Sequence, residues 1–456
     1  MPNAPGPESS EPFVFHDPSG RRGRRAGLLG GLLLSLLALI VAGFLATLAL
    51  APSLPNLQLR DPNTYQGLHV ENVKRLRGRP AWTHIGRPRA PGTNTATKAL
   101  SLGFYVSWDA DSRASLAQHI GELDVVAPQW FALKDAGGDL DITEDPQAVA
   151  LIAGQPHPPA VLPVIHNAHE EQFDTAIGDG LLLNPKAQDK LVQALVAQAQ
   201  THGYAGYIFD LENISPSAIR AYPGLLAKAR AALKPLGREV WVTAPFDDDD
   251  WPFKAMQANS DSLILMAYDE HYVTGGAGPP AGEDWFERFL DKRLSSLDPA
   301  HTIVAFGAYG YDWSQADASG RSTADAVTFH EAIQKAHDSD VDITYDDNAL
   351  NPHFAFVEDD GTQHNVWFLD ATTTFNQIKV TDPWRVRGYG LWRLGSEDPG
   401  VWSLFDRPYG DVSASGLVKL ALGTSVDFNG TGEILRVTAT PTPGKRTLTF
   451  DPDTGL

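Results

Sequence analysis

Ala205-Gly206-Tyr207-Ile208-Phe209-Asp210-Leu211-Glu212 is an apolar run that ends in two carboxylates and then breaks at Asn213, Ser215 and Pro216. Side chains on a strand point alternately to opposite faces, so residues at i and i+2 share a face. Asp210 and Glu212 therefore project together from the C-terminal end of a strand. Where parallel strands close into a (β/α)8 barrel, that end carries the catalytic groups. Two carboxylates turned into one space repel each other and lose solvent, which raises the pKa of one and leaves it a proton to donate. A proton donor beside a second carboxylate is the equipment for breaking a glycosidic bond. Taken alone, the octapeptide reads equally as a pair of solvated acids at a strand end.

The surrounding chain decides the context. From residue 99 onward strand and helix patterns alternate, the mark of successive βα units. Strands are predicted at 100–106, 125–133, 160–166, 207–212, 240–246, 263–269, 303–309 and 389–394, with helical stretches such as 186–201, 217–233 and 284–296 between them. Eight strands with intervening helices close most economically as a (β/α)8 TIM barrel, an α/β fold. An open doubly wound sheet is disfavoured because no glycine-rich phosphate turn follows the first strand. More chain than one helix requires separates the last two strands. A small α+β insertion is expected at about 314–385, with a helix at 324–337, strand-like pieces at 343–345, 353–357 and 365–368, and a hairpin turn at Asp359-Asp360-Gly361.

Charge divides the chain. Residues 1–97 hold 11 Lys and Arg against 5 Asp and Glu, whereas the remainder holds 25 against 51. An acidic body argues against nucleic acid as a partner, because phosphates need a basic face. It suits a neutral or amine-bearing polymer. Residues 26–50 carry no charge and are long enough to span a hydrocarbon core. Arg21, Arg22, Arg24 and Arg25 precede them, so the positive-inside rule places residues 1–25 in the cytoplasm as a disordered tail and the body outside. A cleavable signal peptide is the rival reading, since Ala49-Leu50-Ala51 has the small-x-small form. The apolar run is long for a signal peptide, which favours one uncleaved transmembrane signal anchor. The proline-rich residues 51–97 read as a linker, and 408–456 as a short β-rich tail with strands at 426–437 and 446–450. The chain has no cysteine, which excludes thiolate zinc sites and cysteine nucleophiles.

The octapeptide resembles the strand-4 signature of glycoside hydrolase family 18, the chitinase family, written D-G-x-D-x-D-x-E. Gly206, Asp210 and Glu212 match it, while Ala205 and Ile208 stand where the pattern has its first two acids. Met266-Ala267-Tyr268-Asp269 resembles the strand-6 motif M-x-Y-D. Gly388-Tyr389-Gly390-Leu391-Trp392 resembles strand 8, and Tyr309-Gly310-Tyr311-Asp312-Trp313 the segment after strand 7. The resemblance runs from about residue 99 to 405. It implies a barrel at 98–407 that hydrolyses β-linked N-acetylglucosamine polymers with the substrate's own acetamido oxygen as nucleophile, so no cofactor and no metal is called for. By the same resemblance Glu212 is the proton donor, and Asp210 holds the acetamido N–H. Tyr268 donates to the acetamido oxygen, Asp269 steadies the site and Trp392 floors the sugar.

Further strand-end residues read either as subsites or as packing: Tyr105, Trp108, Trp130, Tyr309 and Trp313. Asp247, in an exposed run of four aspartates, and His271 are candidate substrate contacts. His166 and His169 have a spacing that also occurs at metal sites, but no glutamate accompanies them as in a zinc protease motif. Similar bacterial chains continue into polysaccharide deacetylase and glycosyltransferase domains, so a deacetylase or synthase partner is expected. The chain ends at Leu456 before any deacetylase metal motif, as a short member or a truncated frame. Two further readings compete with hydrolysis: a barrel that guides the polymer without cutting it, favoured by Ala205 and Ile208, and a scaffold that presents the partner enzyme.

Overall fold

The computed structural model describes residues 96–411 apart from 170–171, 315–323 and 347–348, together with four short strands between 418 and 450. The stretches read as a cytoplasmic tail, a membrane anchor and a linker lie outside the described residues, save for the linker's last two. Among the described residues no helix is long and apolar enough to cross a membrane.

Eight parallel strands form a closed ring. The first, Leu100–Tyr105, pairs with the eighth, Gly388–Trp392, on one side and with Val125–Pro128 on the other. Parallel pairings then join the fourth (Gly206–Asp210), fifth (Glu239–Pro245), sixth (Ser262–Met266), seventh (Thr302–Gly307) and eighth strands in sequence. The second and third strands are each broken in two. Val125–Pro128 pairs with Ala160–Val161 before the breaks, and Phe131–Leu133 with Val164–His166 after them. Val164–His166 pairs in turn with the fourth strand, which completes the circle. The breaks fall at Gln129–Trp130, just after Pro128, and at Leu162–Pro163; a proline at each has no N–H to give a ladder. The expected TIM-like α/β barrel is the architecture found.

Alternation along these strands divides the apolar residues into two layers. Leu102, Phe104, Val125, Ala127, Val164, Ile208, Trp241, Ile264, Met266, Ile303 and Ala305 fill the barrel interior. Their sequence neighbours Tyr105, Val126, Ile165, Phe209, Val242, Leu265, Val304 and Leu391 face outward, against the surrounding helices. Because both faces are covered, the strands read as nearly unbroken apolar runs. A polar residue with inner parity at a strand's C-terminal end therefore belongs to the mouth of the barrel.

Helices start where the sequence supplies caps. Asn184 caps Pro185–Thr201, Ser215 caps Pro216–Leu233, and each has proline in its first turn. Between the seventh and eighth strands an antiparallel sheet is inserted, in the order Ala324–Thr328, Tyr309–Ser314, Gln363–Phe368, Pro352–Val357, Thr344–Tyr345. The helix predicted at 324–337 is in fact a strand followed by a helix. Thr328 closes a capping box with Glu331, so the helix begins at Phe329 and runs to Asp338, leaving the alternating residues before it to pair with Tyr309–Ser314. The sheet ends at Phe368, and the helix Ala371–Thr381 that follows packs against Glu283–Leu294 of the barrel wall. In the tail, Val418–Lys419 pairs with Ser425–Val426 and Leu435–Ala439 with Arg446–Phe450, both antiparallel.

Candidate active site

Ile208, Asp210 and Glu212 follow one another on the inner face of the fourth strand and its exit. Asp210 is 3% exposed and accepts a hydrogen bond at 2.6 Å from the Thr243 hydroxyl of the fifth strand. Thr243 shares inner parity with Trp241, so this bond crosses between adjacent strands inside the barrel. Burial pushes the Asp210 carboxyl up to about 6, while the Thr243 hydrogen bond pulls it down. Glu212 sits two residues past the strand's end, half-buried, and Asn213 turns the chain away in the left-handed region at φ 52°. Burial raises Glu212 well above the usual carboxylate range, and the charges of Asp210 and Asp269 raise it further. Both shifts favour the protonated form, and the charge of Asp210 is one of the causes that favour a proton on Glu212.

Asn167 was not legible as a site residue. Its buried amide accepts from the Glu212 N–H at 3.0 Å and donates to the Glu212 carbonyl at 2.9 Å and the Asp174 carbonyl at 2.9 Å. The backbone that presents the acid is thereby fixed from the third strand's exit. Thr243 was missed as well, although a lone hydroxyl with inner parity in an apolar strand was a usable signal.

Tyr268 and Asp269 leave the sixth strand side by side. The Tyr268 ring is buried among the charges of Asp210, Glu212 and Asp269, all of which oppose its ionisation, after burial itself. Asp269 has φ 65°, a conformation few non-glycine residues hold without support. Support comes from two phenols: Tyr309 donates to its Oδ1 at 2.5 Å and Tyr311 at 2.8 Å. Burial raises the Asp269 pKa, these two hydrogen bonds oppose the rise, and nearby Asp247 adds to it. Gly307 makes the arrangement possible. A Cβ there would stand 2.7 Å from Leu369, 3.0 Å from Tyr268 and 3.2 Å from Tyr309.

Trp392 ends the eighth strand partly exposed, with its ring edge-to-face on Phe104 at 5.3 Å. Beside it Arg393 lies over the Trp108 ring at 4.5 Å and pairs with Asp109, holding Trp108 at the rim, 68% exposed. Exposed Asp247 accepts from the Trp285 indole at 3.1 Å and stands close enough to influence Asp269. Its neighbour Asp249 is occupied by Lys292 and Arg293. His271 turns back on its own loop, Nδ1 on the Gly276 carbonyl at 2.9 Å.

Two candidates are corrected. Tyr105 has the wrong parity: Phe104 faces the interior, so Tyr105 is fully buried in the outer layer with its hydroxyl on Asp145. Trp130 lies at the break in the second strand and is also packed into the outer layer, 2% exposed. Neither lines the mouth. Trp313 is buried on the insertion sheet against Tyr311. The structure thus brings together Asp210, Glu212, Tyr268, Asp269, Tyr309 and Asp247, with Trp392 and Trp108 at the rim.

No family model matches the chain. It is similar to YdhD of Bacillus subtilis, named as a sporulation-specific glycosylase, at 26% identity over 53% of this chain and 60% of that protein. It is similar also to the cortical fragment-lytic enzyme of Bacillus subtilis, at 25% identity over 55% of this chain and 60% of that enzyme. The chain thus spans about 60% of the length of each of these relatives. Among solved structures, a chitinase from Chromobacterium violaceum superimposes with a TM-score of 0.60 at 23% identity, covering 67% of this chain and 97% of that one. In sequence the chain resembles glycosylases, and its fold is that of chitinase-like barrels.

Proposed function

We propose that the chain is a glycoside hydrolase that cleaves β-linked N-acetylglucosamine polymers by substrate-assisted, retaining hydrolysis. The observation that carries this reading is the pair Asp210 and Glu212 on one inner face, the first held by Thr243, the second raised in pKa and placed among Tyr268 and Asp269. Asp210 and Glu212 share one face of the same chain segment, which makes Asp210 a poor nucleophile, since a retaining pair flanks the sugar. In this reading the nucleophile is, as the resemblance implies, the substrate's acetamido oxygen. Glu212 gives its proton to the glycosidic oxygen as the acetamido oxygen attacks C1 and the bond from C1 to the glycosidic oxygen breaks. Asp210 balances the positive oxazolinium ring. Water, deprotonated by Glu212, then attacks C1 and restores the acetamide. Trp392 offers the aromatic face that suits the C–H side of a pyranose. The names of the relatives, a cortical fragment-lytic enzyme and a chitinase, support a glycan substrate.

The body is proposed to work outside the membrane, anchored by residues 26–50, alongside a deacetylase or glycosyltransferase acting on the same polymer. Protease added to intact spheroplasts should digest it. A second reading, a barrel that guides polymer without cutting it, is favoured by Ile208, which puts an apolar side chain where the resemblance expects an acid. Product analysis with acetylated and partly deacetylated N-acetylglucosamine oligomers separates the two: shortened products support hydrolysis, and retention of intact oligomer supports guiding.

A further inference from the structure

His166 ends the third strand, and nothing in the mechanism above uses it. Val164 lies in the barrel interior and Ile165 in the outer layer, so His166 turns inward at the mouth. Its register partner on the neighbouring strand is Asp210. Adjacent strands stand about 4.8 Å apart, and the two side chains share a face. Thr243 flanks Asp210 from the other side, so three adjacent strands present an imidazole, a carboxylate and a hydroxyl in one row.

The imidazole's own bonds fix its tautomer. The Ala168 N–H donates to Nδ1 at 3.3 Å, and a main-chain N–H can only donate, so Nδ1 carries no proton and Nε2 does. Among the described residues Nε2–H has no protein partner, and the residue is half-buried rather than sealed. Burial, with a smaller contribution from His169, lowers the His166 pKa to about 4, so the ring stays uncharged through the physiological range. An uncharged ring does not neutralise Asp210 by an ion pair. What remains is one donor of fixed tautomer, on the strand next to Asp210 and on the same face of the sheet.

We propose that His166 is a substrate-contacting residue of this site, giving its Nε2–H to an uncharged oxygen, hydroxyl or carbonyl, of the sugar held beside Asp210. The inference rests on the proposed glycan reading and sharpens it. The site is read as selecting a sugar with an acceptor oxygen at that position, using a donor on the third strand that adds no charge to the groove.

Two variants separate donation from packing. His166→Asn keeps an acceptor near the Ala168 N–H but does not reach the Nε2 position, whereas His166→Gln does. Both are assayed on an acetylated N-acetylglucosamine oligomer for kcat and KM, with thermal unfolding alongside. Oligomer binding is measured for the same substitutions in a Glu212→Gln background. Losing one hydrogen bond to a neutral acceptor should raise KM and the dissociation constant about three- to tenfold in His166→Asn, with kcat little changed and most of the loss recovered in His166→Gln. Equal behaviour of the two variants, both impaired or both like the wild type, overturns the proposal while leaving hydrolysis standing. A wild-type chain that neither cleaves nor binds the oligomer removes the glycan reading and this inference with it.

Discussion

The side-chain amide of Asn167 closes on both main-chain polar groups of Glu212, accepting from its N–H at 3.0 Å and donating to its carbonyl at 2.9 Å. Asn167→Ala leaves those two groups unpaired in a buried place, while the Asp174 carbonyl keeps the Gly178 N–H. We expect a stability loss of about 2–4 kcal/mol, since each buried orphan costs about 1–3 kcal/mol. Activity should fall by more than about tenfold, because small misplacements of a catalytic group are expensive. Thermal unfolding and steady-state kinetics check both; a variant with wild-type turnover would mean that Glu212 does not need this clamp.

Glu212→Gln should abolish hydrolysis, by at least ~10²-fold, while preserving oligomer binding, because it removes the proton and keeps the shape. Calorimetric titration with an oligomer reads the second half of the statement. Retained turnover would move the acid role to another group.

The pH profile should be bell-shaped. The proposed mechanism needs a charged Asp210, whose pKa lies near 6, and a protonated Glu212, whose pKa is raised well above the usual range. The two limbs belong to the coupled pair rather than to either residue alone. Thr243→Val removes the hydrogen bond that favours the charged form of Asp210, so the acid limb should move to higher pH. A limb that stays in place would exclude Asp210 as its source.

Stability should vary with pH in the opposite sense to that of an ion-paired acid. Asp210 has its folded pKa raised from 3.8 to about 6, so between these values the folded state binds more protons than the unfolded one. Its contribution to stability therefore falls as pH rises through that window, by on the order of 2–3 kcal/mol. Asp210→Asn should unfold at a higher temperature than wild type at pH 7, with the gap closing near pH 4. Equal melting temperatures at both pH values would show that the carboxylate carries no such penalty.

A thiazoline analogue of the N-acetylglucosamine oxazoline should inhibit competitively and bind at least ~10²-fold more tightly than substrate, as imitators of reaction intermediates do. Oligomers bearing a free amine at the reacting sugar should resist cleavage, having no internal nucleophile. Efficient cleavage of such a sugar would demand a protein nucleophile instead.

The barrel was legible because most strands carried an apolar run and several helices, Pro185–Thr201 and Pro216–Leu233 among them, a cap with proline in the first turn. Asp210 and Glu212 were legible because their spacing is local. Tyr105 and Trp130 were misread for a reason of parity: composition marks an aromatic residue near a strand end, but only Phe104 at the next position shows which side is the interior. Asn167 was hidden because its partner lies 45 residues away, joined to it only by the pairing of two strands. In the insertion, Ala324–Thr328 was read as helix because the capping box at Thr328 and Glu331 was not given its weight as a start signal.

Tyr309 and Tyr311, which hold Asp269, are the first and third residues of a strand whose far end, Ser314, pairs with His364 well out on the insertion sheet. That strand ties the insertion sheet to the candidate site. Were a long polymer to shift the insertion wall, the two phenols would pass the shift on to Asp269, a residue held at positive φ. Sugars bound far from the scissile bond would thus be felt in turnover and not only in affinity. Exchanging the insertion for one of another shape would retune the chemistry along with the groove.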